Sequence, residues 1–389
     1  MKAFILILSF FLTNSTLYAY NDKNILSLVG SKDSLYVISN KGEVIFSKNT
    51  EKKLIPASTL KVLTSLLALH CLGDNFRFPT EFYIDVNSNL IMKGYGDPLL
   101  VSEALKEMAS NIALKIKKIN NIILDDSYFI KPIIIPGVSS SLNPYDAPNS
   151  AISANFNTVY FKLFKGNIIS AEEQTPIIPF VLKRIKETGL KEGRIPLKAD
   201  ECTLYCGNLL LSFLKKENIQ INGTIKIGKV RTEDKLIFKY LSKFPLEEVI
   251  SKFLDSSNNF VANQLFLASG AKLFGEPASL DKGIRAAQKF AKEVIGIENL
   301  IIAEGSGISR ENLLSAKDMD KILKKFEPYH NLMRYDDREF YKTGTLSNVS
   351  TRVGYIENKQ GQLYRFVLFT NTPGKSAKKI LPYVIKYVN

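Results

Sequence analysis

The chain has 389 residues and carries 52 Lys and Arg against 38 Asp and Glu, a net charge of +14. Its length predicts two or three domains. Three cysteines are too few for a disulfide framework, two histidines too few for a metal site, and no basic-aromatic motif of a nucleic-acid module accompanies the positive excess. Lys2 is followed by an uncharged, largely apolar stretch over 3–12 and then by polar and small residues to Ala19, the pattern of a secretory signal peptide over 1–19. The expected location is therefore periplasmic or otherwise extracytoplasmic, which also removes nucleic acid as a partner. The apolar run is shorter than a membrane span of roughly 18 to 20 residues, and no later stretch reaches that length. Leu17 is bulkier than the small residue usual two positions before a cleavage point, which leaves an uncleaved anchor as the alternative.

Segments 35–39 and 44–47 flank Asn40-Lys41-Gly42 and predict a hairpin. From Ser58, Leu60, Leu63, Leu66, Leu67 and Ala68 recur at helical spacing, with Pro56 marking the first turn. The middle, 72–238, has short β-branched runs such as 112–124, 133–135 and 219–230 broken by Gly, Pro and Asn, which reads as an inserted, mostly β domain. Helical periodicity resumes over 246–254, 260–273, 283–294 and 315–326. A second hairpin, 352–356 and 363–370, precedes a terminal helix over 375–387. Strands at both ends of a chain commonly share a sheet. The expected fold is therefore α/β (α+β), an antiparallel sheet flanked by helices, in a discontinuous domain 20–71 and 239–389 with the insertion 72–238. Cys202 and Cys206 are spaced so that a bridge between them, with Cys71 left over, and three free thiols are both open.

Ser58-Thr59-Leu60-Lys61 puts a lysine amine on the same helical face as a serine hydroxyl. The start of a helix also favours the negative charge that an attacking serine develops. Ser212/Lys215, Ser269/Lys272, Ser279/Lys282 and Ser376/Lys379 share that spacing, where a solvated helix face explains it. Lys342-Thr343-Gly344-Thr345 precedes the second hairpin. There a lysine on an edge strand offers a cation to a carboxylate, and Gly344 removes a side chain where a ligand must lie. Ser257-Asn258-Asn259, between two helices, could project a hydroxyl and an amide into a cleft. Ser256 with Asn258 is an overlapping match, and a helix N-cap is the bland explanation. His70 and His330 read as structural.

Taken together and in this order, SxxK, SxN and KTG are the signature of β-lactamases and penicillin-binding proteins. The chain resembles the class C, low-molecular-mass penicillin-binding proteins, the D-alanyl-D-alanine carboxypeptidase/endopeptidases. Pro56-Ala57-Ser58-Thr59, Gly94-Tyr95-Gly96-Asp97-Pro98, Asp125-Asp126-Ser127-Tyr128-Phe129 and Glu304-Gly305-Ser306-Gly307-Ile308-Ser309-Arg310 extend the likeness, with Glu304 where the family usually has Asp. The resemblance implies a transpeptidase-like fold acting on peptidoglycan stem peptides, β-lactams as inhibitors, and no cofactor or metal. It implies Ser58 as nucleophile, Lys61 as base, Ser257 relaying a proton and Asn259 orienting Lys61 and the substrate amide. Lys342 with Thr343 or Thr345 would hold the terminal carboxylate, and the Ser58 and Thr345 amides would form the oxyanion hole. Asp125 or Asp126, Arg310 and Ser347 would read the stem-peptide side chain. The family often inserts two domains between SxxK and SxN; the interval from Ser58 to Ser257 leaves room for one. A β-lactamase and a non-catalytic peptidoglycan-binding protein are the alternatives.

Overall fold

The computed structural model describes residues 24–388, so the expected signal peptide lies outside the described residues. The chain forms two compact units. The first takes residues up to Val62, Ala291–Ile302 and those from Arg310 on; the second is Leu63–Phe290 with Ala303–Ser309.

In the first unit six strands form one antiparallel sheet, in the order Arg334–Asp336, Glu339–Leu346, Val349–Glu357, Leu363–Thr370, Asp33–Ile38, Val44–Lys48. Both hairpins expected from the sequence are present, and the two chain ends meet where Leu35 pairs with Leu368. Alternation along a strand sends successive side chains to opposite faces. Phe366 and Leu368 join Leu35, Val37 and the terminal helix Ala377–Val388 in one core. The other face holds the helix Ala316–Phe326: Tyr355 Oη donates to Leu323 O at 2.6 Å and Arg365 Nε to Asp320 Oδ1 at 2.8 Å. Residues 366–369 are fully buried because both faces of their strand are covered.

The second unit contains a five-stranded mixed sheet, Ile225–Ile227, Ile122–Asp125, Leu90–Gly94, Pro79–Ile84, Lys235–Leu241, of which the first two pairings are parallel. Parallel pairing needs crossover connections. The helices Ser102–Ala113 and Cys202–Lys216 pack Leu105, Met108, Ile112, Leu209 and Phe213 into a core with Met92 and Leu124. The segment 72–238 is thus mixed rather than mostly β, with a third helix at Pro179–Thr188. The run 112–124, expected as extended, opens on the end of a helix whose buried Ala104, Leu105, Met108, Ala109 and Ile112 recur at helical spacing. Cys202 and Cys206 lie one turn apart on the same helix, and both, like Cys71, are free thiols. Burial pushes the Cys202 thiol up to about 12 and Cys71 up to about 11.

The helices Leu246–Ser256, Asn259–Phe274 and Leu280–Phe290 group with this middle segment rather than with the chain ends, so the compact units do not divide at 71/72 and 238/239. Buried polar bonds account for it. Gln264 Nε2 donates to Gly96 O at 3.1 Å and Ser150 O at 3.0 Å, and Asn149 Nδ2 donates to Phe260 O at 2.9 Å. Asn259–Phe274 is buried from Phe260 to Ala271, and it approaches its neighbour through paired glycines: a Cβ on Gly270 would lie 2.5 Å from Gly283 N.

Candidate active site

Within the first unit, the SxxK segment begins as a tight turn, Ala57–Leu60, that runs into the helix Lys61–Leu72. Pro56 O accepts the Thr59 hydroxyl at 2.6 Å and the Thr351 hydroxyl at 2.7 Å, and Asn371 clamps Ile55 through both its backbone groups. Ala57 is held at φ +49°, a left-handed conformation that costs a non-glycine residue about 1–2 kcal/mol. These bonds over-determine the turn. Lys61 is fully buried, and its Nζ donates to Ser58 Oγ at 3.0 Å, while Ser58 itself is half-buried. Two of the four competing pairs have a member otherwise engaged: Ser269 Oγ donates to Leu265 O, and Lys282 Nζ to the Gly275 and Pro277 carbonyls.

The KTG segment lies on Glu339–Leu346. Its outer neighbour, Arg334–Asp336, stops opposite Tyr341, so strand pairing leaves 342–346 as an edge. Lys342 is buried, with Nζ donating to Thr343 O at 3.0 Å; Thr343 and Thr345 are exposed. Gly344 meets a demand beyond the expected one. A Cβ there would sit 2.3 Å from Thr351 Oγ1 and 2.9 Å from both Pro56 O and Ser58 N. The absent side chain makes room for the nucleophile turn itself, and it brings the Ser58 and Thr345 amides onto adjoining elements. Farther along, Arg310 Nη2 donates to Ser347 O at 2.5 Å, which joins two exposed residues expected to read a stem peptide. Glu339, in the same strand, makes a paired ion bridge to Arg352 at 2.7 and 2.5 Å. Burial still pushes its carboxyl above the usual range, partly offset by the Arg352 guanidinium.

In the second unit the SxN triplet sits at the corner between Leu246–Ser256 and Asn259–Phe274. Asn258 Oδ1 caps the second helix by accepting Val261 N at 3.1 Å, and Ser256 Oγ donates to Lys252 O at 2.8 Å. The Ser256/Asn258 register is therefore consumed by local structure, and Ser257, at φ +56°, turns the chain between the helices. Asp125 and Asp126 are likewise occupied. Asp125 Oδ1 accepts the Ser127 amide and hydroxyl and its Oδ2 the Val230 amide at 2.8 Å. Asp126 Oδ2 accepts Lys131 Nζ and, at 2.7 Å, the Thr203 hydroxyl. Both acids are nearly buried, and these bonds anchor the loops around them. Among the described residues no cluster of His, Cys, Asp or Glu could hold a metal. No helix there is long and apolar enough to cross a membrane.

Residues that sequence reasoning passed over include Thr351 and Asn371, whose polar side chains look ordinary until distant backbone arrives beside them. Thr64 and Asn263 also went unnoticed. Thr64 Oγ1 donates to Gly305 O at 2.6 Å and Asn263 Oδ1 accepts Gly305 N at 2.8 Å.

Known proteins resemble this chain along most of its length. It is 25% identical over 400 aligned residues to D-alanyl-D-alanine carboxypeptidase DacB of Haemophilus influenzae, covering 85% of this chain and 83% of the relative. It is 24% identical to the D-alanyl-D-alanine carboxypeptidase of Actinomadura sp. (strain R39), covering 87% and 77%. Among solved structures, penicillin binding protein 4 (dacB) from Haemophilus influenzae superposes with a TM-score of 0.77 at 23% identity, covering 94% of this chain and 98% of that one. Bd3459, a predatory peptidoglycan endopeptidase from Bdellovibrio bacteriovorus, gives 0.55 at 17% identity, covering 92% of each. The family model described as the D-Ala-D-Ala carboxypeptidase 3 (S13) family matches residues 27–192 and 188–337. With most of its length matched, from the first hairpin to just short of the KTG strand, the chain belongs to the D-Ala-D-Ala carboxypeptidase 3 (S13) family.

Proposed function

We propose that this chain is an exported, serine-type D-alanyl-D-alanine carboxypeptidase/endopeptidase that cleaves peptidoglycan stem peptides or cross-links through an acyl-enzyme on Ser58, and that β-lactams acylate it at the same residue. The observation that carries the reading is the 3.0 Å bond from the buried Lys61 amine to the Ser58 hydroxyl. Hydrogen-bond reach between base and nucleophile is the first requirement of such a pair. The relatives agree with it: two are named carboxypeptidases, and Bd3459 has been solved acylated by penicillin G.

In this reading Lys61 takes the Ser58 proton as Oγ attacks the carbonyl of the penultimate D-alanine. The Ser58 and Thr345 amides receive the oxyanion, a contribution of about 3–4 kcal/mol per donor in comparable sites. Ser257 passes a proton to the leaving amine, and Asn259 orients Lys61 and the substrate amide. Lys342 with Thr343 or Thr345 holds the terminal carboxylate along the edge formed by 342–346, where an extended peptide can lie as an added strand. Water then hydrolyses the ester. Arg310 and Ser347, already joined by a hydrogen bond, act together on the stem-peptide side chain. The stretch 72–238 serves as the single inserted domain, and residues 1–19 direct export to the periplasm or an equivalent compartment.

Mass spectrometry of the penicillin-treated protein should place the adduct on Ser58, with D-alanine released from a muropeptide ending in D-Ala-D-Ala. Ser58→Ala should lose both activities, and Lys61→Ala should slow acylation by about 10²- to 10⁴-fold, the range for a lost general base. A Ser58→Ala protein that still takes up the label overturns the assignment.

A further inference from the structure

Glu304 is fully buried and has no part in the chemistry above. Its Oε2 accepts the Ser306 amide at 2.7 Å, the Ser306 hydroxyl at 2.6 Å and Asn263 Nδ2 at 3.1 Å; its Oε1 accepts the Gly307 amide at 2.7 Å and the Ser309 amide at 3.3 Å. One carboxyl group thereby closes the loop Ala303–Ser309 on itself and onto the helix Asn259–Phe274. Gly305 extends the contact to a second helix, Lys61–Leu72. Gly305 N donates to Asn263 Oδ1 at 2.8 Å, and Gly305 O accepts the Thr64 hydroxyl at 2.6 Å. A Cβ on Gly305 would lie 2.6 Å from Phe266 Cβ, so the loop is also pressed against that helix with no slack.

The two helices joined in this way are not arbitrary. Thr64 lies one turn beyond Lys61 on Lys61–Leu72, and Asn263 lies one turn beyond Asn259 on Asn259–Phe274. Residues three and four apart share a helical face. The loop therefore grips each helix on the face that, one turn earlier, carries a proposed catalytic side chain.

We infer that Glu304 is a positioning residue: through the 303–309 loop it fixes the helix that opens with Lys61 against the helix that opens with Asn259, and so sets the geometry of acylation. The inference rests on the proposed serine peptidase reading. A displacement of about 1 Å in a reacting group can cost about 100-fold in rate, and a buried network with one member removed loses its register rather than a single bond. Glutamine at 304 has the shape of glutamate but turns an amide nitrogen toward backbone N–H donors whichever way it is placed. Aspartate keeps both acceptor oxygens on a shorter arm.

The test is the rate of acylation by a fluorescent penicillin, with kcat and KM for a peptide ending in D-Ala-D-Ala, on the full protein. Glu304→Gln should slow acylation about 10- to 100-fold and lower kcat with KM nearly unchanged, whereas Glu304→Asp should recover most of the rate. Because Glu304→Gln could fail to fold, Thr64→Val supplies a second variant that deletes one hydroxyl and keeps the shape; it should lower kcat in the same direction while retaining the wild-type near-ultraviolet circular dichroism. Either variant folded and acylating within about threefold of wild type overturns the inference. So does a loss confined to KM, or a Glu304→Asp protein no faster than Glu304→Gln. A wild-type protein that takes up no penicillin and releases no D-alanine overturns the peptidase reading and this inference with it.

Discussion

At the corner between Leu246–Ser256 and Asn259–Phe274, one position of register separates a helix cap from a proposed catalytic pair. The sequence offers Ser256/Asn258 and Ser257/Asn259 with equal spacing, and composition cannot choose between them. The family resemblance points to Ser257 and Asn259, and in the fold Asn258 gives its side-chain oxygen to Val261 N and Ser256 its hydroxyl to Lys252 O, which gives the other register a local structural role. The two asparagines should then respond oppositely to alanine. Asn258→Ala loses a cap, about 1 kcal/mol of stability, with acylation close to wild type. Asn259→Ala should keep its melting temperature and lose at least about tenfold in the acylation rate constant. Thermal unfolding and penicillin labelling of the two variants side by side separate the registers, and the reverse pattern would assign the chemistry to the other one.

At the scale of elements, the nucleophile turn and the KTG strand are built as one object. Thr351, on the strand beside KTG, reaches across to Pro56 O, and Gly344 lies where any side chain would strike the turn. Sequence reading singles out both segments because each is a short contiguous pattern, and it reads Gly344 only as room for a ligand. The partner that demands the glycine lies far away in the chain, and no local periodicity reports such an approach. The middle of the chain reads as mostly β from runs such as 112–124, although Ala104, Leu105, Met108, Ala109 and Ile112 keep the helical period of the helix that ends where that run begins. Gly344→Ala follows from the close approach. Two of the three contacts are to backbone atoms, which cannot step aside as a side-chain end can, so the strand should lift from the turn and acylation fall by about 100-fold. Adding Thr351→Ala removes the 2.3 Å contact but neither backbone one, so the double variant should recover little. Full recovery in a labelling assay would show that the hydroxyl, not the turn, sets the requirement.

For the whole molecule, the pairing of both chain ends in one sheet was legible, since two hairpins with clear turn signals lie near the termini. The grouping of the helices over 246–290 with the middle segment was not, because buried amides such as Gln264 and Asn149 decide it and a polar residue inside a helix carries no sign of its partner. One consequence reaches the stability of the protein as a function of pH. Asp97, in the Gly94–Pro98 turn that Gln264 grips at Gly96, is buried, and burial pushes its carboxyl up from an ordinary 3.8 to about 7. The Leu99 amide, donating to Oδ1 at 2.9 Å, and the nearby Ser242 hydroxyl offset only part of that, and no hydrogen bond of good geometry reaches Oδ2. An acid whose folded value is raised binds more protons folded than unfolded across the window between the two values. Stability is therefore greatest at the acid end of that window, falls as pH rises from about 4 to about 7, and levels off above. The loss amounts to a few kcal/mol at most, and Glu339, whose carboxyl is also raised, adds to it with the same sign. Asp97→Asn keeps an oxygen for the Leu99 amide and removes the charge. Its melting temperature should come close to wild type near pH 4 and exceed it near pH 8 by several degrees, at about 2–4 °C per kcal/mol for a domain of this size. A wild-type melting curve that does not shift between those pH values, or an Asp97→Asn protein less stable than wild type at pH 8, would mean that the buried carboxyl stays charged at a partner strong enough to hold it.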